Sequence, residues 1–195
     1  MLASGQASAA DTTYALDEGK SSVAVHVGRA GLFSFAGHEH VVSAPRLQGK
    51  VLAAADDLSR SRVTLSFETA ALRVEEKGEP AGDAPKVQEA MVGPRVLDAS
   101  RFPTVTFRSK TVTGKSMAQG AYDLEISGDL SLHGVTRSVA LPLRVELSGD
   151  TLTASGRLVL RQSEYGISPV TVAGVVKVKD ELTIDYVIVA TRVTQ

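Results

Sequence analysis

The chain has 195 residues, and its 21 Lys and Arg residues almost balance its 22 Asp and Glu residues, for a formal net charge of -1. Without a large basic excess, the protein is not expected to bind the phosphate backbone of nucleic acids. Its hydrophobic content of 43% is typical of a folded globular protein, and its lack of cysteine excludes disulfides, thiolate zinc sites and cysteine nucleophiles.

The first residues are small and polar. Residues 1–10 lack the charged and apolar regions of a complete signal peptide, although Ala7-Ser8-Ala9 has the small-residue pattern of a signal-peptidase site. We interpret residues 1–12 as a disordered N-terminal remnant, either the tail of a trimmed signal peptide or a disordered native terminus. The first alternative predicts a periplasmic or secreted protein. No apolar run approaches the roughly 20 residues that span a bilayer, so no integral membrane segment is expected.

The remaining residues, 13–195, are interpreted as one domain made mainly of β-strands. Apolar and polar residues alternate along most of it, which is typical of strands with one buried face. The alternating apolar residues are Val23, Val25 and Val27; Val63, Leu65 and Phe67; Tyr122, Leu124, Ile126, Leu130 and Leu132; and Val139, Leu141, Leu143, Val145 and Leu147. Two further strands are predicted from Leu152 to Leu160 and from Leu182 to Val193.

One stretch breaks this alternation. Residues 75–83 are charged and rich in Gly and Pro, which indicates an exposed loop. Residues 85–92 follow, with Val87 and Met91 four positions apart, Asp83 as a candidate N-cap and a Gly-Pro pair after the last turn. This pattern predicts one short helix, of the kind that plugs or covers one end of a barrel.

Short turns between the long strands predict an antiparallel meander. His133-Gly134 and Ser148-Gly149-Asp150 are the clearest turn candidates. His tolerates a positive φ better than most residues, so His133 and Gly134 are expected at the centre of a type I′ turn. So many long strands close into a barrel or pack as a sandwich, because an open sheet leaves unpaired edges. The two longest predicted strands run from Tyr122 to Leu132 and from Val135 to Leu147, and the tight turn between them favours an all-β antiparallel barrel with one short helix.

Histidines are the main candidates for polar chemistry. On an extended strand, His38 and His40 would share one face. They would belong to a metal site if His26, His133 or a carboxylate supplied a third ligand. Otherwise they are solvated, or they face a barrel mouth and donate hydrogen bonds to a ligand. No HExxH, Gly-x-Ser-x-Gly or phosphate-binding Gly-rich motif is present, so we assign no catalytic residue, metal site or cofactor.

Four segments, in the same order within residues 13–193, resemble motifs of the YceI-like family. The resemblance implies an eight-stranded lipocalin-like barrel that binds polyisoprenoids or related long-chain amphiphiles, and it implies a homodimer. The segments are Tyr-Ala-Leu-Asp at 14–17 with Ser-Ser-Val at 21–23, Leu-Asp-Ala-Ser-Arg-Phe-Pro-Thr-Val-Thr-Phe-Arg-Ser at 97–109, Gly-Asp-Leu-Ser-Leu-His-Gly-Val-Thr-Arg at 128–137, and Arg-Gln-Ser-Glu-Tyr-Gly-Ile at 161–167.

The chain departs from the family pattern where a head group would be recognised. Residues 84–88, Ala-Pro-Lys-Val-Gln, replace a family stretch of the form Arg-(Asp/Asn)-x-His-Leu and contain no His. The Gly-His-Glu-His cluster at 37–40 is an addition to the family pattern. The chain also has no Trp, so the Gly-x-Trp signature of true lipocalins is missing.

The predicted function is the carriage of a long-chain amphiphile, a polyisoprenoid or a fatty-acyl lipid, inside the barrel. About fifteen buried carbons would contribute on the order of 12 kcal/mol at ~0.8 kcal/mol per CH₂, before ordering costs. The alternative is a small metal-dependent enzyme that uses His38 and His40. A barrel that binds a protein partner and no small ligand is a third hypothesis.

The candidate ligand-binding residues combine the two histidines with large apolar side chains. If the histidines line the pocket, an anionic head group should bind more tightly at about pH 5.5 than at about pH 8, whereas an alcohol should not. Tryptophan at Ala154 or Gly174 is expected to block the cavity if these small residues face inward. The candidates are His38, His40, Phe33, Phe35, Met91, Phe107 and Tyr165.

Overall fold

The computed structural model describes residues 11–30, 40–54, 56–77, 82–172 and 176–194. These residues form twelve β-strands and one α-helix, α1 at Ala84–Val92. The strands are β1 Thr12–Leu16, β2 Ser22–Ala30, β3 His40–Ser43, β4 Gln48–Ala53, β5 Arg62–Glu68, β6 Arg73–Val74, β7 Thr104–Ala118, β8 Ala121–Leu132, β9 Val135–Ser148, β10 Thr151–Arg161, β11 Thr171–Val172 and β12 Val176–Arg192.

Eight antiparallel strands close into a barrel, in the order β1-β4-β5-β7-β8-β9-β10-β12. The closing contact joins the two ends of the chain, because β1 pairs with β12 through Tyr14 opposite Arg192 and Leu16 opposite Ala190. Closure removes the free edges that an open sheet would expose. The predicted eight-stranded antiparallel barrel is therefore confirmed, and the sandwich alternative is excluded.

The barrel wall continues beyond this closure through β2, β3 and β6. The long strand β12 passes from β1 to β2, with Ser22 opposite Val187, so β1 and β2 lie end to end along it. β3 pairs with β2, and β6 pairs with β3 through Val74 opposite Val42. β6 ends this path of paired strands, and its outer edge requires other partners.

Helix α1 supplies those partners. The Gln88 side chain accepts a hydrogen bond from the Val74 amide at 2.8 Å and donates one to the Leu72 carbonyl at 2.9 Å. The Gln88 side-chain amide thus makes the hydrogen bonds to the edge of β6 that a neighbouring strand would otherwise make. The predicted helix is confirmed, with Asp83 at its N-cap, although the Asp83 side chain makes no capping hydrogen bond. Gly93 ends the helix.

The turn between β8 and β9 has the predicted conformation. His133 has φ of 51° and Gly134 has φ of 73°, as a type I′ turn requires at both central residues. Predicted strands 122–132 and 135–147 correspond closely to β8 and β9. The β12 strand extends further toward the N-terminus than the predicted segment, which began at Leu182.

The predicted boundary between residues 1–12 and 13–195 falls beside Thr12, the first residue of β1, which pairs with Ala53 of β4. Residues 1–10 lie outside the described part of the chain. Within the described ranges, no helix is both long enough and apolar enough to cross a membrane.

Candidate functional site

The barrel encloses a cavity of about 560 Å³. All the alternating apolar residues named from the sequence in β2, β5, β8 and β9 contribute to its wall. The prediction of which face of these strands is buried is therefore confirmed. The β10 strand adds Leu152, Ala154, Leu158 and Leu160, and β12 adds Leu182, Ile184, Tyr186 and Ile188.

The cavity wall is almost entirely apolar. Two of its few polar groups already bond within the protein: the Ser61 hydroxyl accepts from the Ala54 amide at 3.0 Å, and the Gln162 amide donates to the Lys179 carbonyl at 2.6 Å. Among the described residues, the wall contains no carboxylate. The polar members of the wall are His40, Ser61, Lys86, Thr106, Tyr122, Gln162 and Tyr186.

The cavity reaches the surface beside α1. Lys86, in the first turn of α1, lines the cavity and has a side chain that is 79% exposed. Its ammonium group lies 3.2 Å from the Asp83 carboxylate. His40, at the start of β3, also lines the cavity and shares the inward face of its strand with Val42. These two residues give the wall its only groups, among those described, that can carry positive charge.

Tyr186 connects two strands of the cavity wall. Its hydroxyl donates a hydrogen bond to the Pro142 carbonyl at 2.7 Å, bridging β12 and β9. Burial raises the pKa of Tyr186 to about 12. A tyrosine in an unfolded chain has a pKa of about 10. Between about pH 10 and about pH 12, the folded protein therefore keeps the proton of the Tyr186 hydroxyl, whereas the unfolded chain loses it.

The free energy of unfolding should therefore fall as the pH rises from about 10 to about 12, because the folded state binds more protons in that window. Below about pH 10 the contribution of Tyr186 is fully present. Tyr186→Phe should flatten this fall and cost about 1 kcal/mol at neutral pH through the lost hydrogen bond. Urea denaturation across the pH range measures both effects.

Tyr122→Phe is the matched control, since it removes a hydroxyl from the same cavity wall but leaves the bond between Tyr186 and Pro142 intact. If the two variants had the same pH profile as the unsubstituted protein, the link between Tyr186 and alkaline stability would be wrong.

Three candidate ligand-binding residues, His40, Met91 and Phe107, lie on the cavity wall. Phe107 is 5% exposed and packs against Val112 and Ile126. Sequence reasoning missed Lys86 and Tyr186 as wall residues. The remaining candidates Phe33, Phe35 and His38, and the proposed blocking position Gly174, lie outside the described residues.

Tyr165 occupies a different place from the other candidates. It is 1% exposed, packs in a cluster with Leu160 and Ile167, and is not part of the cavity wall. Its carbonyl oxygen lies 3.0 Å from Nδ1 of His133. Tyr165 is thus buried outside the cavity wall, and its role in ligand binding stays a prediction.

His133 brings three of the recognised motif segments together. Its ring meets Phe102 edge-on, with centroids 4.5 Å apart, and it contacts the Tyr165 carbonyl. The Arg101 guanidinium lies 5.2 Å above the Phe102 ring. We call Phe102, His133, Gly134 and Tyr165 the His133 cluster. Its contacts join the segment before β7, the β8–β9 turn and the segment after β10, so these motif residues stabilise the fold.

His26 lies on the outer surface, away from His40. Its Nε2 is 3.2 Å from Asp185, which also binds the Arg157 guanidinium at 2.6 Å and 3.0 Å. The bond from Arg157 holds the pKa of the Asp185 carboxyl below its usual range. The described residues contain no group of three or more His, Asp or Glu side chains that could hold a metal ion. Among the described residues, His26, His40 and His133 thus form no three-ligand group, and His38 lies outside these residues.

Solved structures with the same architecture support this fold. BcnA from Burkholderia cenocepacia matches with a TM-score of 0.69 and 20% identity, over 90% of this chain and 99% of BcnA. A polyisoprenoid-binding domain from Saccharophagus degradans, implicated in plant cell wall breakdown, matches with a TM-score of 0.64 and 15% identity, over 93% and 99%. The Campylobacter jejuni YCEI protein matches with a TM-score of 0.58 and 10% identity, over 79% and 85%.

At these identities the likeness shows the fold alone. No curated protein matches the sequence. The YceI-like domain, by contrast, matches residues 14–190, which is most of the chain and extends from within β1 to within β12. The chain therefore belongs to the YceI-like family.

Proposed function

We propose that the protein binds a long-chain amphiphile, a polyisoprenoid or a fatty-acyl lipid, in the interior of its barrel. The cavity is the observation that carries this proposal: it measures about 560 Å³ and its wall is almost entirely aliphatic and aromatic. Volumes of roughly 300–1,000 Å³ are typical of sites that bury most of a small ligand. The polyisoprenoid-binding domain from Saccharophagus degradans has the same fold.

Apolar contacts are sufficient to hold such a ligand. Each methylene group moved from water into the cavity contributes about 0.8 kcal/mol. About fifteen groups would contribute on the order of 12 kcal/mol before the costs of association and ordering. The few polar groups of the wall then select among head groups and supply little of the total affinity.

We favour binding over catalysis. The metal-dependent enzyme would need a third ligand beside His38 and His40, but His26 pairs with Asp185 and His133 contacts the Tyr165 carbonyl. Neither contact favours the enzyme hypothesis. A protein that binds and carries a hydrophobic ligand is also consistent with a periplasmic or secreted location, which we retain as part of the proposal.

Organic extraction of the purified protein, followed by mass spectrometry, tests the proposal directly. We expect a co-purified lipid, and we expect a fluorescent fatty acid to bind and to be displaced by unlabelled amphiphiles. If repeated preparations contain no lipid and no amphiphile binds, the proposed function is wrong.

The charges of the wall favour an anionic head group, a phosphate or a carboxylate. Lys86 and His40 line the cavity, and none of the described wall residues is acidic. Because Lys86 is exposed and already close to Asp83, its contribution should be modest. Exposed charge pairs typically contribute up to about 1 kcal/mol.

Lys86→Gln, and at about pH 5.5 also His40→Gln, should weaken the binding of a fatty acid by about threefold to fivefold, and should leave the binding of the matching alcohol unchanged. Asp83→Asn should have the opposite effect, because it removes the carboxylate that competes for Lys86 and costs no capping hydrogen bond. Displacement titrations of both ligands measure these ratios.

Lys110→Gln is the matched control, since Lys110 pairs with Asp129 and does not line the cavity. Equal losses for the acid and the alcohol would show that Lys86 and His40 contribute to packing and not to recognition of charge. An unchanged affinity for the acid in both variants would remove them from the site altogether.

A further inference from the structure

The barrel wall has a gap between β9 and β10. Their pairing runs from Ser148 opposite Thr151 to Leu143 opposite Gly156 and then stops. Residues 135–142 of β9 and 157–161 of β10 have no partner across the gap, although β9 continues to pair with β8 and β10 with β12. Two strand edges thus face each other unpaired in the described wall. We call this gap the β9–β10 cleft.

Three residues at the start of the cleft explain why the pairing stops. The next pair along the ladder would join Pro142 to Arg157, but proline has no amide hydrogen to donate. The Pro142 carbonyl instead accepts the hydrogen bond from Tyr186. Gly156 leaves room for this contact, because a Cβ there would overlap both the Pro142 oxygen and the Tyr186 hydroxyl. Side chains of this wall therefore keep the cleft open.

The cleft leads toward the cavity. Val139, Leu158 and Leu160 line the cavity and also line a surface pocket of about 540 Å³ on the outer side of the cleft. The same three side chains therefore border both the interior and the outside. Beside them Val159 is 51% exposed. Near the far end of the cleft, the Arg137 guanidinium donates to the Glu164 carbonyl at 3.1 Å.

The size of the cavity limits how much hydrocarbon it can hold. A methylene group occupies about the volume of a water molecule in the liquid, roughly 30 Å³. At that size, 560 Å³ corresponds to about 19 such groups. A polyisoprenoid several times longer than this needs a further apolar path for its distal part.

We propose that the β9–β10 cleft is the exit for the distal part of such a chain. The proposal rests on the proposed function and adds a second opening to the barrel. The strands β12 and β2 lie between β10 and β3, so the cleft and His40 lie at different positions around the wall. A ligand with its head group beside His40 and Lys86 can then pass through the cavity and leave between Val139, Leu158 and Leu160.

A covalent strap across the cleft tests this exit. The chain has no cysteine, so introduced thiols are the only ones present. If the β9–β10 ladder continued, Ala140 would face Val159 on the outer surface, by extension of the observed register. In Ala140→Cys/Val159→Cys the thiols are joined by oxidation, or by a short bis-maleimide where the gap is too wide for a disulfide. Arg144→Cys/Ser155→Cys is the matched control, because these residues are paired in the intact part of the same ladder.

The probes are farnesyl phosphate, which is short enough for the cavity, and undecaprenyl phosphate, which is too long. The strap across the cleft should weaken undecaprenyl phosphate binding by about tenfold or more, which corresponds to about two methylene groups forced back into water. Farnesyl phosphate should stay within about twofold of its original affinity, and the control strap should affect neither probe. Reduction of the disulfide should restore long-chain binding.

The outcomes separate this inference from the proposed function. If undecaprenyl phosphate binds equally well with and without the strap, the long chain does not use the cleft and the exit is overturned, while the cavity remains the binding site. If both straps weaken the long ligand equally, the effect is a general stiffening of the wall, and the exit is again overturned. If neither probe binds the unsubstituted protein, the proposed function fails and the exit with it.

Discussion

Ala154→Trp is expected to reduce the affinity for a long-chain amphiphile about 100-fold or more. Ala154 lies on the cavity wall in β10, between Val145 of β9 and Ile188 of β12, and both neighbours also line the cavity. An indole at this position would project into the space that the ligand needs. If it displaces at least four methylene-sized groups, the loss is about 3 kcal/mol, or more than 100-fold in the dissociation constant.

Val187→Trp is the control for this prediction. Val187 lies next to Ile188 on β12, but its side chain is 38% exposed and is not part of the cavity wall. The Val187→Trp protein should therefore bind ligand with normal affinity. Ala90→Trp offers a second test, because Ala90 lines the cavity from α1, where its exposure makes overpacking less costly. Normal ligand affinity in folded Ala154→Trp and Ala90→Trp would show that the ligand does not occupy this cavity.

The sequence predicts which side of each strand faces the interior, because alternation of apolar and polar residues depends only on local geometry. It also predicts the β8–β9 turn, since few residue pairs suit two positive φ angles as well as His133 and Gly134. The closure of the barrel is harder to predict from the sequence. It depends on a short pairing in which Tyr14 lies opposite Arg192, and no local pattern indicates which distant strand completes a sheet.

The β9–β10 cleft shows a second limit. Pro142 fits the alternation as an outward residue, so the sequence predicts one continuous strand from 135 to 147. The alternation of apolar and polar residues indicates which way each side chain points, whereas the cleft arises because Pro142 has no backbone amide hydrogen to donate. A proline within a predicted strand does indicate an unpaired edge, and that signal was available at Pro142.

The candidate site was only partly accessible from sequence. Lys86 was not identified, because a lysine on a short helix is usually a solvated residue, and its place at the opening depends on how α1 packs against β6. Tyr165 is a predicted ligand-binding residue, and in the structure it packs beside Leu160 and Ile167 and not on the cavity wall. An aromatic residue in a recognised motif serves the fold or the ligand equally well, and the contacts of the folded chain are needed to distinguish the two.

Gly134→Ala should be the most destabilising of the single substitutions considered, with a loss of about 3 kcal/mol in the free energy of unfolding. Gly134 has φ of 73°, a conformation that costs other residues about 1 kcal/mol or more. A Cβ there would also overlap the Phe102 ring. The ring is confined by His133 and Arg101, so overpacking should add about 1–3 kcal/mol.

Gly149→Ala isolates the contribution of that overlap. Gly149 lies in the turn between β9 and β10 with φ of 58°, but a Cβ there would meet no heavy atom within 4 Å. It should lose only about 1 kcal/mol, and the difference between the two variants in urea denaturation measures the clash with Phe102. Equal losses would show that the Phe102 ring moves aside freely. A double-mutant cycle with Phe102→Leu should then show no coupling, whereas a confined ring predicts that the smaller side chain recovers part of the loss.

Ligand affinity of the folded Gly134→Ala protein should stay within about twofold of the original, because Phe102, His133 and Gly134 stabilise the fold and none of them lines the cavity.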